Sequence, residues 1–140
     1  MSEAAFRWRS ATPALPVGDL AVSIAFYDQV CGFGVLARGE GFALLGRDGV
    51  SVVLWTADDA DWRGRAGDRP VVSGAESFLA GTASCRLQVE GIDALHARAQ
   101  TAGAVHPNGP LRRAAYPARE FDMLDPDGNQ LTAYEPLAEG

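Results

Sequence analysis

The sequence predicts an α+β fold built from two βαβββ modules within a single domain, residues 1–140. Three observations lead to this prediction. A pattern of strand, helix and hairpin in the first half of the chain returns in the second half in the same order. A length of 140 residues fits one compact domain. A module of roughly 50 residues is too small to bury its sheet face alone, so the two modules are expected to pack together.

The first module is predicted over about residues 10–56. An apolar stretch at residues 11–17 gives its first strand, and a helix follows from side chains at helical spacing, Leu20, Ile24, Tyr27 and Cys31. Asp19 is placed to cap the helix N-terminus, and Gly32 fits the left-handed residue just past its end. Asp48-Gly49 is a hairpin signal, and strands are predicted over residues 34–37, 41–45 and 50–55.

The second module is predicted over about residues 83–136. Residues 84–89 have the pattern of a strand, and the next helix follows from Ile92, Leu95, Ala99 and Ala102, with Gly103 at its end. Residues 120–134 can be laid without gaps on residues 41–55, which places Phe121 on Phe42. Two matches in the same order, with shared Asp-Gly turn chemistry, indicate an internal duplication.

The connection between the modules, residues 57–82, is rich in Asp, Arg, Gly and Ser and contains Trp62. Connections longer than about 12 to 15 residues without structure of their own are usually functional or disordered. The segment is therefore either a polar linker or a lid that carries an aromatic side chain.

The composition excludes several function classes. The 12 basic residues, all arginine, and 18 acidic residues give a net charge of -6, which repels phosphate backbones, so no nucleic-acid partner is expected. The absence of lysine excludes Schiff-base chemistry on a lysine side chain. No apolar run approaches a membrane span, and the first ten residues lack the pattern of a signal peptide. A cytoplasmic protein without a membrane partner is expected.

The chain shows no evident catalytic residue. Cys31 and Cys85 lack metal-spaced partners, which argues against a disulfide framework and a cysteine zinc site. His96 falls within the second predicted helix, and His106 precedes a proline in a loop. The run Asp125-Pro-Asp-Gly128 could suggest a catalytic pair of carboxylates. Asp-Pro and Asp-Gly are first of all typical of turns, so the run predicts a hairpin.

Three motifs carry a resemblance to a known family. They are Leu-Pro-Val-Gly-Asp-Leu at residues 15–20, with the helix after it to residue 27, Cys-Gly-Phe at 31–33, and Asp-Pro-Asp-Gly-Asn-Gln-Leu at 125–131. They resemble the vicinal oxygen chelate superfamily, whose paired modules form a cupped mixed β-sheet. Within it, residues 89–95 and 118–129 are most similar to the bleomycin resistance proteins, which bind and sequester the drug.

The resemblance also locates four positions where enzymes of this superfamily, such as glyoxalase I and the extradiol dioxygenases, hold a divalent metal. Here these positions are Thr12, Val53, Ser84 and Thr132. Neutral hydroxyls and a valine cannot compensate for dehydrating Zn, Fe or Ni. No metal and no other cofactor is therefore expected.

A cupped sheet without metal still offers a concave, largely apolar ligand surface. The candidate ligand-binding residues are Phe42, Trp55, Trp62, Tyr116 and Arg119. The resembling drug binders also have a phenylalanine at position 42 and Arg-Glu-Phe at 119–121, but they have a stacking tryptophan where this chain has Pro117, next to Tyr116. Phe42 and Phe121 are equally compatible with a core role. Acidic residues at 40, 48, 58, 59 and 61 either rim the site for a cation or form a solvated face.

The resemblance implies metal-free sequestration of a cationic, aromatic glycopeptide antibiotic of the bleomycin type by a homodimer, in which two chains build two clefts. The alternative is a divergent lyase, isomerase or dioxygenase-like enzyme that uses other residues on an unknown small molecule. The four metal positions favour binding over catalysis.

Overall fold

The structure, a computed structural model, describes residues 5–57, 70, 72–73, 75 and 79–138. A single π-helical turn, Tyr27–Cys31, continues the first helix. The elements are β1 (Ala14–Val17), α1 (Leu20–Phe26), β2 (Gly34–Gly39), β3 (Phe42–Arg47), β4 (Val50–Thr56), β5 (Ser84–Gln88), α2 (Ile92–Thr101), β6 (Arg112–Arg113), β7 (Ala118–Leu124) and β8 (Gln130–Pro136). No helix in the described part of the chain has the length and apolar character needed to cross a membrane.

The strands form two four-stranded sheets with the same topology. The order is β1-β4-β3-β2 in the first sheet and β5-β8-β7-β6 in the second. In each sheet the strand before the helix pairs in parallel with the last strand of the module, and the other neighbours pair antiparallel. The repeated order confirms the predicted α+β fold of two βαβββ modules with mixed sheets.

The first helix begins and ends at the predicted signals. The side chain of Asp19 accepts a hydrogen bond from the backbone N–H of Val22 at 3.1 Å, which satisfies a donor that the helix start leaves unpaired. The π-helical turn buries Tyr27 and Val30, and Gly32 then ends the helix with φ of 73°. That conformation disfavours residues with a side chain, which explains the glycine.

The two long hairpins differ in the length of their turns. Between β3 and β4, Asp48 and Gly49 have φ of 55° and 82°, as in the two-residue turn whose twist matches that of the flanking strands. In the second hairpin, the backbone N–H of Asp125 donates to the carbonyl of Asn129 at 3.0 Å, which encloses three residues. The predicted hairpin at Asp125 is confirmed, with one residue more in its turn.

This extra residue corrects the gapless alignment of the two modules. Phe42 pairs with Trp55 across the first hairpin, whereas Glu120 pairs with Tyr134 at the matching place in the second. Phe42 is thus equivalent to Glu120, and its alignment with Phe121 is wrong by one residue. Because successive side chains of a strand point to opposite faces, this slip places the two phenylalanines on opposite faces of their sheets.

The second helix receives its N-terminal cap from a distant strand. Gly91 precedes α2 with φ of 84° and no capping side chain of its own. The carboxylate of Glu135 in β8 accepts hydrogen bonds from the backbone N–H groups of Gly91 and Ile92, at 3.0 and 3.1 Å. These bonds hold the pKa of Glu135 below its usual value.

The two modules share one core and are fastened by the turn at residues 125–129. The buried hydrophobic cluster contains side chains of both modules, including Leu15, Leu54, Phe121 and Leu131. The hydroxyl of Tyr27 donates to Asp125 at 2.9 Å, and the side-chain amide of Asn129 donates to the carbonyl of Pro16 at 2.8 Å. Asp127 accepts from the backbone N–H of Gly18 at 3.0 Å. The Asp-Pro-Asp-Gly run therefore joins the modules as well as turning the chain.

Both cysteines are free thiols. Burial raises the pKa of Cys31 to about 12 and that of Cys85 to about 11. Both therefore stay protonated at neutral pH, and a protonated thiol is a poor nucleophile.

Candidate functional site

Each sheet has one face against its helix and one face turned away from it. In the second sheet, Phe121 is fully buried and meets His96 of α2 with ring centroids 4.9 Å apart. Its neighbours in β7, Glu120 and Asp122, therefore point away from α2. We call this side the second outer face and define it by Arg86, Arg112, Glu120, Asp122, Thr132 and Tyr134.

Two buried carboxylates form the polar centre of the second outer face. Arg112 Nη2 lies 2.5 Å from Glu120 Oε2 and 3.1 Å from Asp122 Oδ2. The hydroxyl of Thr132 donates to Asp122 Oδ1 at 2.5 Å. Burial opposes ionisation of Asp122, but hydrogen bonds from Thr132 and Gln130 and the charge of Arg112 outweigh it and lower the pKa of Asp122. The lowered pKa keeps Asp122 ionised at neutral pH, and Arg112 holds both carboxylates in place.

Aromatic rings border this centre. The guanidinium carbon of Arg86 lies 4.7 Å from the centroid of Tyr134 and 5.5 Å from that of Tyr116, both within cation–π range. The Tyr116 ring is 45% exposed. The second outer face therefore combines accessible aromatic surface with charge.

The corresponding face of the first sheet is apolar. Ala43 and Leu45 of β3 are fully buried, so Phe42 and Leu44 of the same strand point to the other side. We call that side the first outer face and define it by Leu36, Phe42, Leu44, Val53 and Trp55. Leu36 and Phe42 are 61% and 43% exposed. This face offers apolar and aromatic surface, while the second outer face offers charge.

The predicted ligand residues are distributed over three places. Phe42 and Trp55 are cross-strand neighbours on the first outer face, and Tyr116 borders the second. Arg119 lies on the opposite side of β7, where its guanidinium makes two 2.9 Å bonds to the carboxylate of Asp93 in α2. Trp62 and the acidic residues at 58, 59 and 61 lie outside the described residues.

Sequence reasoning missed the charged centre. Polar and apolar residues alternate along β5. The polar residues are Ser84, Arg86 and Gln88, and the apolar residues are Cys85 and Leu87. Such alternation indicates a strand with one face in the core and one turned away from it. It does not show that Arg86 would lie over the rings of Tyr116 and Tyr134 and near the carboxylate of Glu120.

The positions that hold metal in related enzymes do not form a metal site here. Val53 and Thr132 lie in β4 and β8, Ser84 begins β5, and Thr12 precedes β1. The hydroxyl of Thr132 is bound to Asp122. Over the described ranges, no three His, Cys, Asp or Glu side chains gather around a common point. This donor set does not fit Zn, Fe or Ni.

A cavity of about 620 Å³ opens elsewhere, between the end of α1, the first hairpin and α2. Apolar side chains, among them Phe33, Leu87 and Met123, line it together with Arg47 and Arg98. Of the predicted ligand residues that the structure describes, Phe42, Trp55, Tyr116 and Arg119, none lines this cavity. The outer faces therefore remain the candidate site.

The repeated topology of the two modules agrees with one family. The sequence model of the glyoxalase/bleomycin resistance protein/dioxygenase superfamily matches residues 9–132. The chain belongs to this superfamily.

Two curated superfamily relatives are similar over most of the chain. Bleomycin resistance proteins of Geobacillus stearothermophilus and Staphylococcus aureus are each 46% identical over 125 residues. Each alignment covers 89% of this chain and 95% of the relative.

Solved superfamily structures share the fold at low sequence identity. A bleomycin resistance determinant encoded on the transposon Tn5 superposes with a TM-score of 0.68 at 19% identity, over 92% of this chain and 98% of its own. A bleomycin-binding protein complexed with bleomycin gives 0.66 at 20% identity, over 91% and 98%. TnmS3, an antibiotic binding protein from Streptomyces sp. CB03234, gives 0.64 at 22% identity, over 94% and 99%.

Proposed function

We propose that this protein binds a bleomycin-type glycopeptide antibiotic and confers resistance by sequestering it. The observation that carries the proposal is the pair of outer faces. One presents aromatic and apolar surface around Phe42 and Trp55, and the other presents Tyr116 beside the carboxylates of Glu120 and Asp122. The similarity to bleomycin resistance proteins at 46% identity supports the same ligand class.

The two faces suit a flat, cationic ligand for separate reasons. Aromatic side chains stack on planar heteroaromatic groups and contribute roughly 0.5 to 1.5 kcal/mol beyond the burial of area. Carboxylates and a net charge of -6 attract cations. Tight stoichiometric binding removes free drug, so the mechanism needs no catalytic group.

We infer further that the working form is a homodimer. The first outer face leaves large apolar side chains exposed in the single chain, with Leu36 and Phe42 at 61% and 43%, and such a patch favours association. A two-fold dimer that brings the first outer face of one chain opposite the second outer face of its partner would form two equivalent clefts. Two free thiols fit a reducing compartment, and the cytoplasm is the proposed location.

The decisive experiment is a calorimetric titration with metal-free bleomycin, together with metal analysis of the purified protein. Saturable binding by a metal-free protein is expected. No heat of binding, or stoichiometric Zn, Fe, Mn or Ni in the protein, would contradict the proposal, and the second result would favour the enzyme alternative.

Substitution of two aromatic side chains tests where the cleft lies. Tyr116→Ala is expected to weaken bleomycin binding by several-fold and leave the melting temperature unchanged, because this ring is exposed and outside the core. Trp62→Ala is measured beside it as the test of a lid over the ligand. If both variants bind the drug as tightly as the parent, the cleft lies elsewhere.

A further inference from the structure

Arg86 covers the aromatic surface of the second outer face. Its guanidinium carbon is 4.7 Å from the Tyr134 centroid and 5.5 Å from the Tyr116 centroid. Its side chain is nevertheless 48% exposed. A cation held over rings while half in solvent can leave them without breaking packed structure.

The carboxylate next to Arg86 is paired without it. Arg86 Nη1 lies 4.0 Å from Glu120 Oε2, which is beyond hydrogen-bond distance. The same oxygen receives the Arg112 guanidinium at 2.5 Å. The side chain of Glu120 is only 10% exposed, against 37% for Arg112. Departure of Arg86 would therefore leave the Glu120 carboxylate still held by Arg112 beside the two rings.

We propose that Tyr116, Tyr134 and Glu120 form a subsite for a planar cationic group of the ligand, and that Arg86 fills this subsite in the free protein. The identity of the full ligand rests on the proposed function, whereas the subsite is defined by the rings and the carboxylate. Two like charges cannot occupy the same ring faces, so the guanidinium and the ligand's cation compete. Arg86 thereby excludes weakly held cations and sets the selectivity of the site among cations.

The test uses two small probes of the same shape, benzamidinium, which is a planar aromatic cation, and benzamide, which is neutral. Arg86→Ala is expected to bind benzamidinium several-fold more tightly than the parent, as followed by chemical-shift titration, and to bind benzamide no better. Arg113→Ala is the matched control. It removes the same charge from β6 and leaves the rings and Glu120 untouched, so it should behave as the parent does.

A second variant tests whether the tighter binding of benzamidinium depends on the tyrosine rings. Adding Tyr134→Leu to Arg86→Ala should abolish the gain for benzamidinium, with thermal melts confirming that both variants fold. Equal benzamidinium binding by the parent and Arg86→Ala, or an equal gain for benzamide, would overturn the subsite. A gain that Arg113→Ala reproduces would also overturn it, because general charge would then explain the effect.

A parallel bleomycin titration of the parent separates this inference from the proposed function. Failure of the parent to bind bleomycin would contradict the proposed function. It would not affect the comparison of benzamidinium binding. Bleomycin binding by the parent, without a benzamidinium gain in Arg86→Ala, would remove only the subsite.

Discussion

At the scale of single residues, the two phenylalanines near the sheet centres have opposite surroundings. Phe121 is completely buried against His96, whereas Phe42 is 43% exposed next to Trp55. The difference follows from the face of the strand to which each side chain points. Phe42 is therefore available to a ligand, and Phe121 serves the core.

Alanine substitutions separate these two roles. Phe121→Ala should lower the free energy of unfolding by about 3 to 5 kcal/mol, as is typical of a buried aromatic side chain. Phe42→Ala should lower it by clearly less and weaken bleomycin binding by several-fold. Chemical denaturation and calorimetry on both variants check this. If Phe42→Ala loses as much stability as Phe121→Ala, Phe42 has a core role and the prediction is wrong.

Tyr27 contributes a buried hydrogen bond to the contact between the modules. Burial and the charge of Asp125 raise the pKa of Tyr27 far above its ordinary value, so its phenol remains a hydrogen-bond donor at any physiological pH. The bond to Asp125 is buried and joins residues 98 positions apart. It links α1 of one module to the hairpin of the other.

Tyr27→Phe should lower the free energy of unfolding by about 1.5 to 3 kcal/mol, the range for hydrogen bonds to charged groups. Tyr134→Phe is the matched control, since its hydroxyl lies 3.5 Å from Gln88 at an exposed position and its loss should change stability little. Urea denaturation curves of both variants provide the comparison. Equal, small effects would show that the buried bond does not stabilise the module contact.

At the scale of elements, α2 depends on a partner far away in sequence. Glu135 of β8 binds the first backbone N–H groups of the helix, where a carboxylate also interacts favourably with the helix dipole. The cap couples the formation of the helix to the formation of the second sheet.

The cap predicts a dependence of stability on pH. Because the folded pKa of Glu135 is depressed, its contribution is present above the unfolded value of about 4.3 and is lost as pH falls through the folded pKa. Glu135→Gln should therefore be less stable than the parent at pH 7, and the difference should shrink in acid. Glu90→Gln, at an exposed position before the same helix, is the control. A difference that stays constant from pH 7 to about pH 3 would contradict a charged cap.

At the scale of the whole molecule, the two outer faces differ in character although the modules share one topology. The first carries apolar side chains at the ladder positions where the second carries Asp122, Thr132 and Arg86. Within one chain the apolar face is left exposed around Leu36. Association of two chains would cover it and complete the binding site.

The proposed dimer predicts a solution mass of about 30 kDa, twice the single-chain 14.8 kDa. Leu36→Glu should shift the mass to that of a monomer and remove bleomycin binding with it, because a buried charge opposes association. Val22→Glu, at a 51% exposed position on α1, makes the same change away from the outer faces and should leave the dimer intact. Light scattering on the three proteins is the measurement. A parent mass near 14.8 kDa at micromolar concentration would exclude this assembly.

The sequence by itself determined the duplication, the class of fold, the ends of α1 and the lack of metal-binding side chains at the four family positions. These features depend on periodicity, turn residues and residue identity, which are properties of short stretches of chain. Tertiary structure alone decided that Phe42 is equivalent to Glu120, that Arg119 turns toward Asp93, and that Arg86 meets Tyr134. The reason is that strand register fixes which distant side chains meet, and one extra residue in a turn reverses the face to which a strand residue points.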